Sequence, residues 1–142
     1  MPTPLLMSLL REIITPEDYY KQGDNLMGDI VKLEQALTQR FPDIQKVDLS
    51  ARSEKSVHIN SIRVKKSGQG KGIGSEIINS VKEFATKNNL PITLTPEPDK
   101  GKKEALVRFY KKHGFVKCRD PHYTNPFGPT LIWFPKNFNS SD

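Results

Sequence analysis

Gln69-Gly70-Lys71-Gly72-Ile73-Gly74 is the stretch on which the reading of this chain turns. Val57 to Val64, before it, has the character of a strand, with His58, Asn60, Ile62 and Val64 in phase on one face. After it, Ile73, Ile77, Ile78, Val81 and Phe84 mark an amphipathic helix ending near Asn88-Asn89. The start of a helix offers unpaired backbone N–H groups and a partial positive charge. Glycines there remove the Cβ atoms that would keep an anion away. Strand, glycine-rich loop and helix in that order predict a phosphate cradle; without a ligand the same glycines would make a plain turn. A P-loop is excluded, because Lys71 is followed by Gly72 rather than Ser or Thr. A dinucleotide fingerprint matches only in part: Ile73 holds the last glycine position, and no acid ends the strand at Leu94.

Outward from the loop the elements alternate. On the N-terminal side, Leu26, Ile30, Leu33 and Leu37 form one helical stripe over about 25 to 41, with Asp24 as a cap and Pro42 as the stop. A further helix start stands at Thr15-Pro16-Glu17-Asp18, and residues 5–13 have the pattern of a short helix. Val47 to Ala51 alternates as a strand, and Ser53-Glu54-Lys55 forms a turn. On the C-terminal side come a short strand at Ile92-Thr93-Leu94 and an irregular loop through Pro96 and Pro98. A helix follows, carrying Leu106, Phe109, Tyr110 and His113 with Gly114 as its cap, then strands at Phe115–Arg119 and Thr130–Phe134. The Asp120–Pro129 loop joins those strands, and a polar tail from Asn137 is expected to fray. This order predicts an α/β fold, a mixed sheet with flanking helices.

The 142 residues suit one domain. It divides into a helical N-terminal region (1–45), a core (46–135) and a tail (136–142). No apolar run approaches the ~20 residues of a membrane span. Leu5–Leu10 has neither the basic flank nor the cleavage site of a signal peptide. The single cysteine, Cys118, makes no internal disulfide, so a reducing, cytoplasmic setting is expected. The formal net charge of +6 suits either a nucleic acid or a phosphorylated small molecule. Arg63, Lys65, Lys66 and Lys71 surround the glycine loop, and no aromatic residues interleave at base-stacking spacing, which favours the small molecule. The three histidines lack metal-ligand spacing, so no metal is expected.

Gln69, Gly72 and Gly74 fit the signature (Gln/Arg)-x-x-Gly-x-(Gly/Ala), and Phe109-Tyr110 is followed after three residues by Gly114-Phe115. In these two motifs, in this order, the chain resembles the GNAT family of N-acetyltransferases over roughly residues 46–135. The resemblance implies acetyl-CoA as cosubstrate, seated in a V-shaped opening between parallel strands 57–64 and 91–95. It implies that the N–H groups of Gly70, Lys71, Gly72, Ile73, Gly74 and Ser75 hold the pyrophosphate. The backbone of Ile62 and Val64 would pair with the pantetheine arm, and the Ile62 N–H would donate to the oxyanion. Tyr110 matches the tyrosine that protonates the CoA thiolate. His58 takes the place of a general-base glutamate found in part of the family, and Glu97 is a rival base. Two positions depart from the family pattern: Lys103 stands where asparagine is usual, suggesting a phosphate contact instead, and Leu106 stands where alanine is usual.

Acylating an amine requires a neutral amine, a stabilised oxyanion and a protonated leaving thiolate. No covalent nucleophile is needed, so Cys118 is expected to be a buried hydrophobe. The implied activity is direct transfer of acetyl to a primary amine of a protein or small molecule. A non-catalytic acyl-CoA-binding or interaction module, and an acetyltransferase acting on nucleic acid, are the alternatives. The chain is expected to be a monomer or homodimer.

Overall fold

Ile30 and Leu37, completely or nearly withdrawn from solvent, anchor the first helix described here, α1 (Asn25–Arg40). The computed structural model describes residues 25–52, 55–96, 103–124 and 130–139. The helix starts predicted at residues 5–13 and at Thr15, and the Asp24 cap, lie outside them. Pro42 ends α1 as predicted, since a proline disfavours helical backbone at the residue before it.

The remaining elements are β1 (Ile44–Arg52), β2 (Ser56–Val64), a 3-10 turn (Lys66–Gly68), α2 (Ile73–Lys87), β3 (Ile92–Leu94), α3 (Lys103–Lys112), β4 (Val116–Lys117) and β5 (Leu131–Trp133). The last two strands are shorter than their sequence suggested. Among the described residues five strands lie in the order β1-β2-β3-β5-β4, a mixed sheet in which β2 and β3 run parallel and the other neighbours antiparallel. No helix among the described residues is long and apolar enough to cross a membrane.

The phase predicted for β2 is corrected by a bulge. Asp48 faces Ser61 and Leu49 faces Ile59, so Asn60 is an extra residue on β2. Because cross-strand partners share a face, Val57 and Ile59 before the bulge and Ile62 and Val64 after it all face the main core, while His58 faces the other way. Where the ladder is interrupted, the Leu49 N–H donates to the Glu34 carboxylate (2.8 Å), which fastens α1 onto β1. Burial raises the Glu34 pKa, against the lowering effect of that bond. The Asn60 amide reaches back to Ser50 Oγ (3.1 Å), so the extra residue is tied down by its own side chain.

Both helices beside the site end in the same way. In α2, Leu90 N–H bonds the Ala85 carbonyl and Asn89 N–H bonds that of Thr86, with Asn89 at φ 53°. In α3, Phe115 and Gly114 bond the Tyr110 and Lys111 carbonyls, with Gly114 at φ 90°. These are Schellman motifs, each delivering an apolar residue (Leu90, Phe115) to the core. Asn89 also exchanges two hydrogen bonds with the Asn139 backbone, so the tail is held at least that far rather than frayed.

Candidate functional site

β2 outruns its parallel neighbour. Its pairing with β3 covers Val57 to Ile59 only, and from Asn60 to Val64 no strand is paired to that edge among the described residues. The bulge sits at this parting point, where extra local twist helps one strand leave another. Ile62 and Val64, the residues implied to hold the pantetheine arm, therefore lie on an open backbone edge.

The edge leads into the loop. Gly68 is wedged where chain segments meet: a Cβ there would stand 2.5 Å from the Asp43 Cβ and 2.9 Å from both Ile73 Cδ1 and Val64 Cγ1. Gly70 (φ 80°) and Gly72 (φ 77°) are left-handed for a different reason, since nothing lies within 4 Å of where their Cβ atoms would be. Their missing side chains would occupy open space at the N-terminal end of α2, capped by Gly72 without any side-chain hydrogen bond. The Gln69 amide donates to the Val64 carbonyl (3.2 Å), pinning the loop to the strand end. Lys65, Lys66 and Lys71 are exposed around it. A 15-residue helix whose first N–H groups open onto such a space, with exposed lysines in and beside the loop that leads into it, can hold a multiply charged anion.

His58 is 5% exposed, and its Nδ1 lies 2.9 Å from Thr93 Oγ1, which in turn lies 3.1 Å from Ser56 Oγ. All three are buried, on the sheet face opposite the main core. Burial, and secondarily the Arg52 charge, lower the His58 pKa to about 4. The imidazole is thus neutral at physiological pH, with Nδ1 engaged by Thr93; in the tautomer whose Nδ1–H donates to the Thr93 hydroxyl, Nε2 is the nitrogen free to take up a proton.

Tyr110, on α3, is 4% exposed and belongs to the core. Phe109 and Phe115 meet its ring edge-on at centroid distances of 5.2 and 5.4 Å. Burial raises its pKa to about 12, so the phenol keeps its proton at neutral pH. The backbone of Lys103 opens α3; its side chain, and the whole of Glu97, lie outside the described residues. Cys118 is buried, as expected. Among the described residues no group of three or more His, Cys, Asp or Glu is placed to hold a metal ion.

The sequence reading missed three partners. Thr93 was read only as a strand residue and Ser56 was given no place; Thr93 lies 35 positions from His58 and 37 from Ser56. His113 was read only as a helix residue, yet its Nε2 lies 3.0 Å from Ser75 Oγ in the first turn of α2. A separate groove of about 320 Å³ opens between α1 and α2, floored by Leu33, Leu37 and Phe84, and shares no residue with this loop.

The acetyltransferase (GNAT) domain model matches residues 40–117. Similar solved structures include the anti-CRISPR protein AcrVA5 (30% identity, 61% of this chain and 86% of that one, TM-score 0.49). Ard1 from Thermoplasma volcanium matches at 21% identity, covering 69% and 73%, TM-score 0.45. Arabidopsis thaliana Naa50, in complex with the bisubstrate analogue CoA-Ac-MVNAL, matches at 26% identity, covering 63% and 60%, TM-score 0.43. A search of curated proteins finds no match.

Proposed function

The chain belongs to the GNAT acetyltransferase family, whose domain model spans residues 40–117, and from that premise we propose that it moves an acetyl group from acetyl-CoA to a primary amine. The observation that carries this reading is the Gly70–Gly72 turn. Two left-handed glycines leave open space at the start of α2, beside three exposed lysines and an unpaired β2 edge. The fit is to a pyrophosphate followed by an extended arm: an anion for the helix end, and a strand-like chain for the edge.

In this proposal the N–H groups from Gly70 to Ser75 hold the pyrophosphate, with Lys71 and Lys103 adding charge. The backbone of Ile62 and Val64 aligns the pantetheine arm. Acetyl-CoA supplies the acetyl group as a thioester. The Ile62 N–H donates to the oxyanion that forms when the amine attacks. His58, unprotonated at neutral pH, takes the amine proton at Nε2. Tyr110, protonated at neutral pH, donates to the departing sulfur. The acceptor is a primary amine, on a protein or on a small molecule.

A second reading, an acyl-CoA-binding module without turnover, draws support from the burial of Tyr110 among aromatic rings. Two measurements on the full chain decide. Calorimetry should detect acetyl-CoA binding by the wild type and none by Gly72→Glu, whose carboxylate would fill the cradle and repel the phosphates. Unchanged affinity in a folded variant would refute the loop assignment. CoA release with a panel of amines should then exceed the amine-free rate; binding without such release would leave the module reading.

A further inference from the structure

His113 caps the C-terminal end of α3, and its ring reaches across to α2. Its Nε2 is 3.0 Å from the hydroxyl of Ser75, the third residue of α2. Phe109, one turn earlier on α3, lies against the His113 ring (centroids 4.9 Å apart). The same phenyl ring is 3.3 Å from where a Gly74 Cβ would stand. From farther along α2, Lys82 donates its ammonium to the His113 carbonyl. The end of α3 is thereby latched onto the turn of α2 whose N–H groups face the open space.

A serine hydroxyl has one proton to donate and can accept as well. If Ser75 donates to His113 Nε2, it has nothing to offer an anion. If Nε2 carries the hydrogen and Ser75 accepts, the hydroxyl proton is left to point elsewhere. Burial, with the Lys82 and Lys112 charges, lowers the His113 pKa, which favours the neutral ring with one hydrogen. An anion at the helix end stabilises the second arrangement, because only there does the hydroxyl donate to it.

We propose that His113 is a positioning residue for the cofactor loop: its Nε2–H donates to Ser75 Oγ, which leaves the Ser75 proton for a phosphate oxygen. This rests on the acetyl-CoA reading of the loop and adds to it a role for a residue outside the two motifs' shared positions.

The test is titration of the full-length chain with CoA and with pantetheine, which lacks the pyrophosphate. His113→Phe keeps a ring against Phe109 but loses the donor; it should weaken CoA about tenfold and leave pantetheine unchanged. His113→Gln, whose amide can donate in place of Nε2–H, should stay within about twofold of wild type for CoA. Ser75→Ala, which removes the phosphate contact itself, should lose at least the factor lost by His113→Phe, and the double variant no more than Ser75→Ala, because His113 acts only through Ser75. Wild-type CoA affinity in His113→Phe, or equal losses for both ligands, would overturn the proposal while leaving the loop assignment standing. Should His113→Phe not fold, Ser75→Ala decides: an unchanged CoA affinity overturns the proposal. A wild-type chain that binds no CoA would overturn it together with the reading it rests on.

Discussion

Acidification from pH 7 to pH 5 should remove about 2 kcal/mol of stability through His58 alone. In the unfolded chain this imidazole takes up its proton near the ordinary value of 6.5. In the folded protein, burial and the Arg52 charge postpone that to about 4. A folded pKa below the unfolded one means that the unfolded state binds the proton first as pH falls. Stability is therefore full above about 6.5 and is lost between there and 4. Each pH unit in that window is worth 1.36 kcal/mol, which gives about 2 kcal/mol by pH 5 and about 3 by pH 4. The assay is urea unfolding of wild type and His58→Gln at pH 7 and pH 5. Glutamine has no proton to gain, and the titration of carboxylates such as Glu34 is common to both proteins, so the difference between the two losses isolates His58. Wild type should lose about 2 kcal/mol more than the variant. Equal losses would mean that His58 titrates normally when folded and that its burial has been misjudged. The same displacement bears on catalysis. If His58 is the base, the acid limb it sets on kcat/KM lies near pH 4, well below where a free histidine would put it, and His58→Gln should lose that limb together with rate at neutral pH.

Tyr110→Phe should lower turnover by about 10²–10⁴-fold with acetyl-CoA affinity unchanged, since only the proton donor is removed; wild-type turnover would make Tyr110 a packing residue. Gly68→Ala should lower stability by about 2 kcal/mol in thermal or urea unfolding, because the new Cβ meets the Asp43 Cβ at 2.5 Å. Asn89→Ala should lower it by about 1–2 kcal/mol, since alanine tolerates φ 53° poorly and cannot hold the Asn139 backbone. Asn89→Gly should recover the helix-end share of that loss but not the tail contacts.

What could be read in the sequence was what is encoded locally. The stripes of α1 and α2 fall where their spacing placed them, because a helix that must bury one side repeats its apolar residues within a few positions. Gly114 and Pro42 end their helices through properties of single residues, and the Gln69–Gly74 loop announced itself because left-handed backbone at an open helix end selects glycine. The contacts that surround His58 and Ser75 are of another kind. Thr93 and His113 stand 35 and 38 positions from their partners, and nothing in their own neighbourhoods distinguishes them from an ordinary strand threonine and an ordinary helix-end histidine.

The β2 bulge falls between these two cases, and its trace in the sequence went unread. Val57 and Ile59 are apolar at odd positions, whereas Ile62 and Val64 are apolar at even ones, with Asn60 and Ser61 between them. A regular strand cannot bury both pairs on one side, because its side-chain period is two. One extra residue can, and a polar asparagine that pairs back to Ser50 suits the place. Choosing the even phase throughout put His58 on the face of Ile62 and Val64; the slip puts it on the opposite face, in a buried contact with Thr93. The position of the slip matters as much as its occurrence. It follows directly on Ile59, the last residue of β2 paired to β3, so the irregularity that lets both halves of β2 bury their apolar residues also coincides with the opening of the sheet edge. The demand of the core for a phase change and the demand of an extended ligand for a free backbone edge are met at one residue.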